Sequence, residues 1–281
     1  MPDNSLLANI KKLRELTGVG FKDCKLAIDE NNGDIDKSIE FLRKKGIAKA
    51  SKKMSRTASE GLVLVNEIDG KVSIIEINSE TDFVAKNNDF ISFCKEISEI
   101  NLKESGNLDN VNKSIMHNNV NVKDNLIDLI AKMGEKITLR RSKFFDKSEG
   151  KNYFYVHGSV EKNIGKIISI VKLKNINDKN KDLGTKLAMH ITAASPLSID
   201  KNDLDKSLID KELEIIKAEI VNSGKKPEIA EKIAKGKLNK FISDSTLMNQ
   251  DWIMDPKIKV SDILKDLKVL DFVRYKVGEG V

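Results

Sequence analysis

Two aliphatic, β-branched runs are separated by Asp69-Gly70 alone: Leu62-Val63-Leu64-Val65-Asn66-Glu67-Ile68 and Lys71-Val72-Ser73-Ile74-Ile75-Glu76-Ile77-Asn78. An Asp-Gly pair in that position makes a tight hairpin turn, because both residues tolerate positive φ. The turn sets the pairing register and commits this stretch to an antiparallel sheet. The β-branched pattern stops after Asn78, and Thr81 stands where a helix N-cap is expected. Asp82 and Phe83 then occupy the first helical turn, at a corner between sheet and helix where the helix dipole suits a carboxylate. Phe83 admits two readings. An aromatic ring at a water-facing corner marks a partner surface, whereas spacing alone favours the core, with the ring folded back under the helix.

Upstream, residues 1 to about 46 carry three short helical patterns. Leu6, Ile10, Leu13 and Leu16 recur on one face of the first, which ends at Gly18. The second runs from about Phe21 to Asn31 with Cys24, Ala27 and Ile28 inward. Asp34 caps the third, which carries Ile35, Ile39 and Leu42 before Gly46. The basic segment from Ala48 to Arg56 lacks core periodicity and reads as a linker with some helix near its start. The expected division is a three-helix domain at 1–50, a basic linker at 51–60, and core subdomains at 61–150 and 151–281.

The first core subdomain reads strand, strand, helix, with Phe90, Ile91, Phe93, Cys94, Ile97 and Ile100 on the helix. The polar stretch 101–121 reads as loop or loosely held helix. Leu126, Ile127, Leu129 and Ile130 give another helix ending at Gly134, and Ile137, Leu139 and Phe144 begin a series of strands. That series continues through Tyr153 to His157 and Ile164 to Leu173, and Leu183 to Ala194 follows as helix. Strand-strand-helix thus occurs twice, near 62–100 and near 153–194, which predicts a structural duplication. Residues from about 203 to 243 form an antiparallel helical hairpin, with Ser223-Gly224-Lys225-Lys226-Pro227 as its turn. The end of the chain adds a helix at 260–267 and a strand at 272–277. The fold class is α+β with antiparallel sheets.

Composition narrows the function. The net charge is +6, but 43 acids are interleaved with the basic residues, of which only six are arginines and 43 are lysines. Arginine does most of the bidentate reading of phosphates and bases, so a solvated surface is the better account and nucleic acid is not the expected partner. Cys24 and Cys94 lie in helical patterns as free thiols. No apolar run approaches the ~20 residues that cross a bilayer, and the N-terminus reads neither as a secretory signal nor as a transit peptide. A cytoplasmic protein is expected. His117, His157 and His190 have no metal-ligand spacing. Gly165-Lys166 lacks both the glycine spacing and the following Ser/Thr of a phosphate loop. No catalytic, cofactor or metal site is expected.

Thr81-Asp82-Phe83-Val84-Ala85-Lys86-Asn87 resembles the signature of the elongation factor Ts family, the nucleotide-exchange factors of elongation factor Tu. So does Thr17-Gly18-Val19-Gly20-Phe21-Lys22-Asp23-Cys24-Lys25-Leu26-Ala27, in a region similar to a ubiquitin-associated three-helix domain. Further matches are Gly134-Glu135-Lys136-Ile137 with Arg140-Arg141, His157-Gly158, Met189 to Pro196, and Val277 to Gly280. They run in family order from residue 6 to residue 280.

The resemblance implies two related α+β core subdomains and a protruding coiled coil at the helical hairpin. It also implies that Asp82 and Phe83, with Thr81 and Val84, wedge against elongation factor Tu and disturb its Mg²⁺ site. Arg14, Gly20, Phe21 and Lys22 would meet the GTPase domain, and His157-Gly158 its phosphate-loop side. Each has a bland alternative: Phe21 as a staple between helices, Asp82 as a helix-start charge, His157 as a strand-end residue bonded locally. His190 is expected in the core, and Arg140 and Arg141 are expected to split, one outward in an ion pair and one toward the sheet edge. The rival functions are a nucleic-acid- or ribosome-associated binding protein, motivated by a pI of about 9.0 and the basic 49–56 segment, and an adaptor built on the three-helix domain.

Overall fold

The computed structural model describes residues 4–176, 181–221 and 227–281. Three helices open the chain: α1 (Asn4–Thr17), α2 (Phe21–Glu30) and α3 (Ile35–Lys53). They close around Ile10, Leu13, Cys24, Ala27, Ile28 and Leu42. The Asp34 side chain caps α3 by accepting the Lys37 N–H at 3.0 Å. Two details depart from the sequence reading. Leu16, assigned to the apolar stripe of α1, is 59% exposed. The third helix also passes through Gly46 and takes in much of the stretch read as linker. Gly46 lets α3 lie close to the helix α7 (Val122–Met133): a Cβ on it would sit 3.4 Å from that of Ala131. Beyond it Ala50 is buried in the next core, so tertiary contact holds a helix that periodicity did not announce.

The hairpin forms as its turn dictates. β1 (Glu60–Ile68) pairs antiparallel with β2 (Lys71–Ser79), Ile68 facing Lys71, and Asp69 and Gly70 both take positive φ. The chain continues through α4 (Asp82–Ala85), α5 (Asn88–Lys103), α6 (Leu108–Lys113) and α7 to β3 (Ile137–Phe145). Polar stretch 101–121 is ordered by local bonds, since Asn107 and Asn121 side chains cap α6 and α7. Then come β4 (Lys151–His157), β5 (Ile164–Gly165), β6 (Ile167–Lys174), α8 (Lys181–Ala194), α9 (Lys206–Val221) and α10 (Pro227–Ser245). The expected hairpin turn, apart from Pro227, lies outside the described residues. Two short strands, β7 (Asp251–Trp252) and β8 (Asp255–Lys259), precede α11 (Val260–Leu264) and β9 (Lys268–Lys276). The β7–β8 pair was not anticipated: its strands are too short for alternation, and Pro256 argues against a strand.

Besides the small β7–β8 sheet, two larger antiparallel sheets result, ordered β3-β2-β1-β5 and β4-β6-β9. They pack face to face. Val63, Val65, Val72 and Ile74 of the first meet Ile168, Ile170 and Tyr275 of the second. The alternate residues of β1 and β2, Leu62, Leu64, Ile75 and Ile77, face Phe90, Cys94, Ile97, Leu129 and Ile130 from the helices. On the far side of the second sheet Val171 and Leu173 face Leu187 and Ile191 of α8. The layers therefore run helices, sheet, sheet, helices, and this explains why β1 and β2 are apolar on both faces. Each sheet contains an antiparallel pair followed by a helix. Among the described residues no helix is long and apolar enough to cross a membrane.

His190 lies in the core as expected, fully buried and stacked on Trp252 with ring centroids 5.2 Å apart. The Ile253 N–H donates to Nδ1 at 3.3 Å, so the proton sits on Nε2 and is given to Gln250 Oε1 at 2.9 Å. Burial pushes its pKa down, and the residue is a packing element. Gly184 marks a close approach of α8 to β4 of the second sheet. A Cβ there would stand 2.3 Å from the Tyr153 ring, so Gly184→Ala is expected to lower stability by about 1–3 kcal/mol. Thermal unfolding checks it: an unchanged melting temperature would mean that α8 can slide away.

Candidate functional site

The corner after the hairpin is built around α4, a single turn of four residues. In so short a turn only some side chains can point inward. Val84 and Ala85 do, joining the core against β1 and β2. Phe83 therefore points out and is 80% exposed, the most exposed large apolar side chain among the described residues. The core reading of Phe83 is thus wrong, and the four-residue turn is the reason. Val84, expected at a partner surface, is also corrected: it is 7% exposed and anchors the turn from below.

Thr81 is the N-cap residue, in extended conformation, yet its hydroxyl makes no cap bond. It donates instead to Glu135 Oε1 at 2.6 Å, and the Thr81 N–H donates to Oε2 of the same carboxylate at 2.9 Å. The preceding Glu80 accepts the Lys136 N–H at 2.6 Å and pairs with Arg56 at 3.1 Å. Burial works to raise the Glu80 pKa, but the Lys136 N–H and the Arg56 guanidinium bring it below the usual carboxylate range. Glu80 and Glu135 were not singled out as site residues. For Glu135 a signal was present in Gly134-Glu135-Lys136-Ile137, but the partner of that motif is distant in sequence and invisible to periodicity.

Asp82 bonds Lys86 at 2.6 Å, one helical turn on, and this bond holds its carboxyl below the usual range. Lys166 adds to the same effect. Lys166 also ties together the strand ends beside the turn. Its ammonium donates to the Gly61 carbonyl at 3.0 Å and pairs with Glu60 at 3.2 Å, while its N–H donates to the His157 carbonyl at 3.1 Å. His157 and Gly158 thus end β4 at the same edge as α4. His157 is exposed, its ring 6.2 Å from that of Tyr155. Among the described residues nothing hydrogen-bonds its imidazole, so the locally bonded alternative has no support.

The second group of candidates lies on the three helices. Gly18 takes φ +64° and its N–H closes α1 on the Arg14 carbonyl at 2.8 Å. Gly20 begins α2 in extended conformation, with Asp23 and Cys24 N–H groups donating to its carbonyl at 3.1 Å. Phe21 is 48% exposed and Arg14 and Lys22 are exposed, so Phe21 does not act as a buried staple. The end of α3 reaches toward the α4 corner: Lys53 donates to the Gly134 carbonyl, and Lys136 to the Arg56 carbonyl at 2.8 Å.

Arg140 and Arg141 do not split as expected. A bulge in the β2–β3 pairing, between Glu76 and Ile77, leaves Arg140 unopposed and turns both arginines to one side. Both bond the fully buried Glu76 carboxylate, at 3.0 and 2.6 Å. Among the described residues no group of three or more His, Cys, Asp or Glu could hold a metal ion. What the surface offers is an exposed aromatic on a fixed turn, flanked by charge. A ring of that size, once buried in a complementary cleft, contributes about 1.5–3 kcal/mol.

Known proteins resemble this chain over most of its length. The family model described as elongation factor TS covers residues 80–279. Elongation factor Ts of Rickettsia felis is 38% identical over 290 aligned positions, spanning 99% of this chain and 93% of that protein. The Rickettsia prowazekii protein of the same name is 40% identical over 97% of this chain and 91% of its own length. That of Bartonella henselae is 39% identical over 98% and 93%. By the extent of that match and the order of its motifs, this chain belongs to the elongation factor Ts family.

Proposed function

We infer that this translation elongation factor is a guanine nucleotide exchange factor that binds elongation factor Tu and promotes GDP release. The observation that carries the reading is Phe83, 80% exposed on a turn anchored from beneath by Val84 and from the side by Glu135. No covalent chemistry is required. A protein that binds the nucleotide-free GTPase more tightly than the GDP-bound form must weaken GDP binding by the same factor. Each ~1.4 kcal/mol of that difference is about tenfold. A ring inserted between two packed elements of the partner selects one packing over another, and Phe83 is presented for that role. Asp82 adds negative charge beside the partner's Mg²⁺ site, tempered by its bond to Lys86.

His157 and Gly158 form a second contact at the same edge, and Arg14, Gly20, Phe21 and Lys22 a third on the three-helix region. The rival nucleic-acid reading rested on the chain's pI of about 9.0 and on the basic segment 49–56. There Lys53 and Arg56 are engaged by Gly134 and Glu80, which leaves fewer free cations for a phosphate backbone. Release of labelled GDP from the cognate elongation factor Tu, with substoichiometric amounts of this chain, is the test. Many turnovers per molecule are expected. Unaccelerated release with a folded preparation would overturn the reading.

A further inference from the structure

The motif Gly134-Glu135-Lys136-Ile137 is not among the proposed partner contacts, yet it grips the wedge. Glu135 uses both carboxylate oxygens on one residue, Thr81, taking its N–H at 2.9 Å and its hydroxyl at 2.6 Å. One step back, Glu80 returns the bond to the Lys136 N–H at 2.6 Å. Two carboxylates on facing segments thus each hold the other segment's backbone. Charge-assisted bonds of this kind are about twice as strong as neutral ones. The grip lies two residues before Phe83, while Val84 and Ala85 seal the other side of the turn in the core. It also diverts the Thr81 hydroxyl from the helix cap it would otherwise make. The local bond sacrificed is an ordinary stabiliser; the bond gained fixes the direction in which α4 leaves the sheet.

We propose that Glu135 is a positioning residue for exchange, acting through Thr81 to aim the Phe83 ring. The proposal rests on the wedge reading of Phe83. A ring held in one direction meets the partner without first losing freedom, so the advantage appears in the rate of the step it drives. Removing the grip leaves Phe83 on the surface but lets the turn pivot on Val84.

The experiment is GDP release from elongation factor Tu over a range of factor concentrations, separating the maximal rate from the half-saturating concentration. Glu135→Ala is expected to lower the maximal rate about tenfold with a much smaller change in half-saturation. Glu135→Gln is expected to retain most of the rate, because an amide can accept the Thr81 N–H while the hydroxyl turns to accept from its NH₂. Thr81→Val, which loses only the hydroxyl bond, should fall between them and serves if Glu135→Ala folds poorly.

The deciding measurement adds Glu135→Ala to Phe83→Ala. If Glu135 acts through the ring, the double variant is no slower than Phe83→Ala alone. Additive losses, or a loss of less than twofold in folded Glu135→Ala or Thr81→Val, would overturn the proposal. Normal exchange by Phe83→Ala would instead overturn the wedge reading, a separate outcome of the same set.

Discussion

Phe83→Ala is expected to slow GDP release from elongation factor Tu by about ten- to a hundredfold, the range that loss of one buried ring at 1.5–3 kcal/mol implies. The isolated variant should meanwhile melt within about 2 °C of wild type. The side chain is 80% exposed, so its removal opens no cavity, and surface truncations of this kind change stability by about 0.5 kcal/mol or less. A core phenylalanine would behave oppositely, costing about 3–5 kcal/mol on truncation. Asp82→Ala should slow exchange less, because its charge is exposed, screened by salt and already bonded to Lys86. Thermal unfolding of each variant and GDP release at several factor concentrations separate these outcomes. A clear drop in melting temperature with normal exchange per folded molecule would remove Phe83 from the site.

The sequence was most legible where one short segment carries its own geometry. Asp69-Gly70 between β-branched runs specifies a hairpin with little help from the rest of the chain, and the pairing follows residue for residue. The Asp34 cap of α3 was equally local, whereas the asparagine caps of α6 and α7 fall in the stretch read as loop or loosely held helix. Elsewhere the deciding contact lay far along the chain. The ring of Phe83 points out because Val84 and Ala85, its neighbours in a four-residue turn, are claimed by the core; spacing cannot say which residue of so short a turn wins. The helix through Gly46 persists because α7 receives it. Glu135 and Thr81 are 54 residues apart, and nothing in either neighbourhood names the other. The family motifs pointed to both segments without indicating that they touch.

The same kind of distant pairing governs the last prediction, the collapse in stability of Glu76→Ala. Glu76 interrupts the aliphatic run Ile74-Ile75-Glu76-Ile77 and is fully buried in the first sheet. Its carboxylate accepts from Arg140 and Arg141 on β3, from the Asn78 amide at 2.9 Å and from the Gly278 N–H at 2.8 Å. It therefore fastens the chain's final turn to the centre of the fold. Truncation would leave two guanidinium groups, an amide and a backbone N–H each one acceptor short, the arginines keeping only the Glu279 and Lys276 carbonyls and the amide the Glu60 carbonyl. Breaking a buried pair in this way costs about 3–5 kcal/mol; the arginines keep some exposure, so about 3 kcal/mol is expected, or roughly 6–12 °C in melting temperature.

Acid should reveal the same bond. Burial alone would raise the Glu76 pKa, but the bonds from Asn78, Gly278 and Arg141, with the Arg141 charge, carry it below the ordinary value. A carboxyl whose folded pKa is depressed lends stability that is complete above its unfolded value, about 4.3. That stability is lost as pH falls through this value toward the folded one. Glu76→Gln, isosteric but uncharged, should be destabilised at pH 7 and should lose that part of the acid dependence, so that its melting curve approaches wild type at low pH. Melting temperatures of both proteins from pH 7 down to about pH 3 decide the matter. Parallel pH profiles, or a neutral-pH melting temperature equal to wild type, would show that the arginines are solvated well enough to stand without it, and that the final turn is held by something other than Glu76.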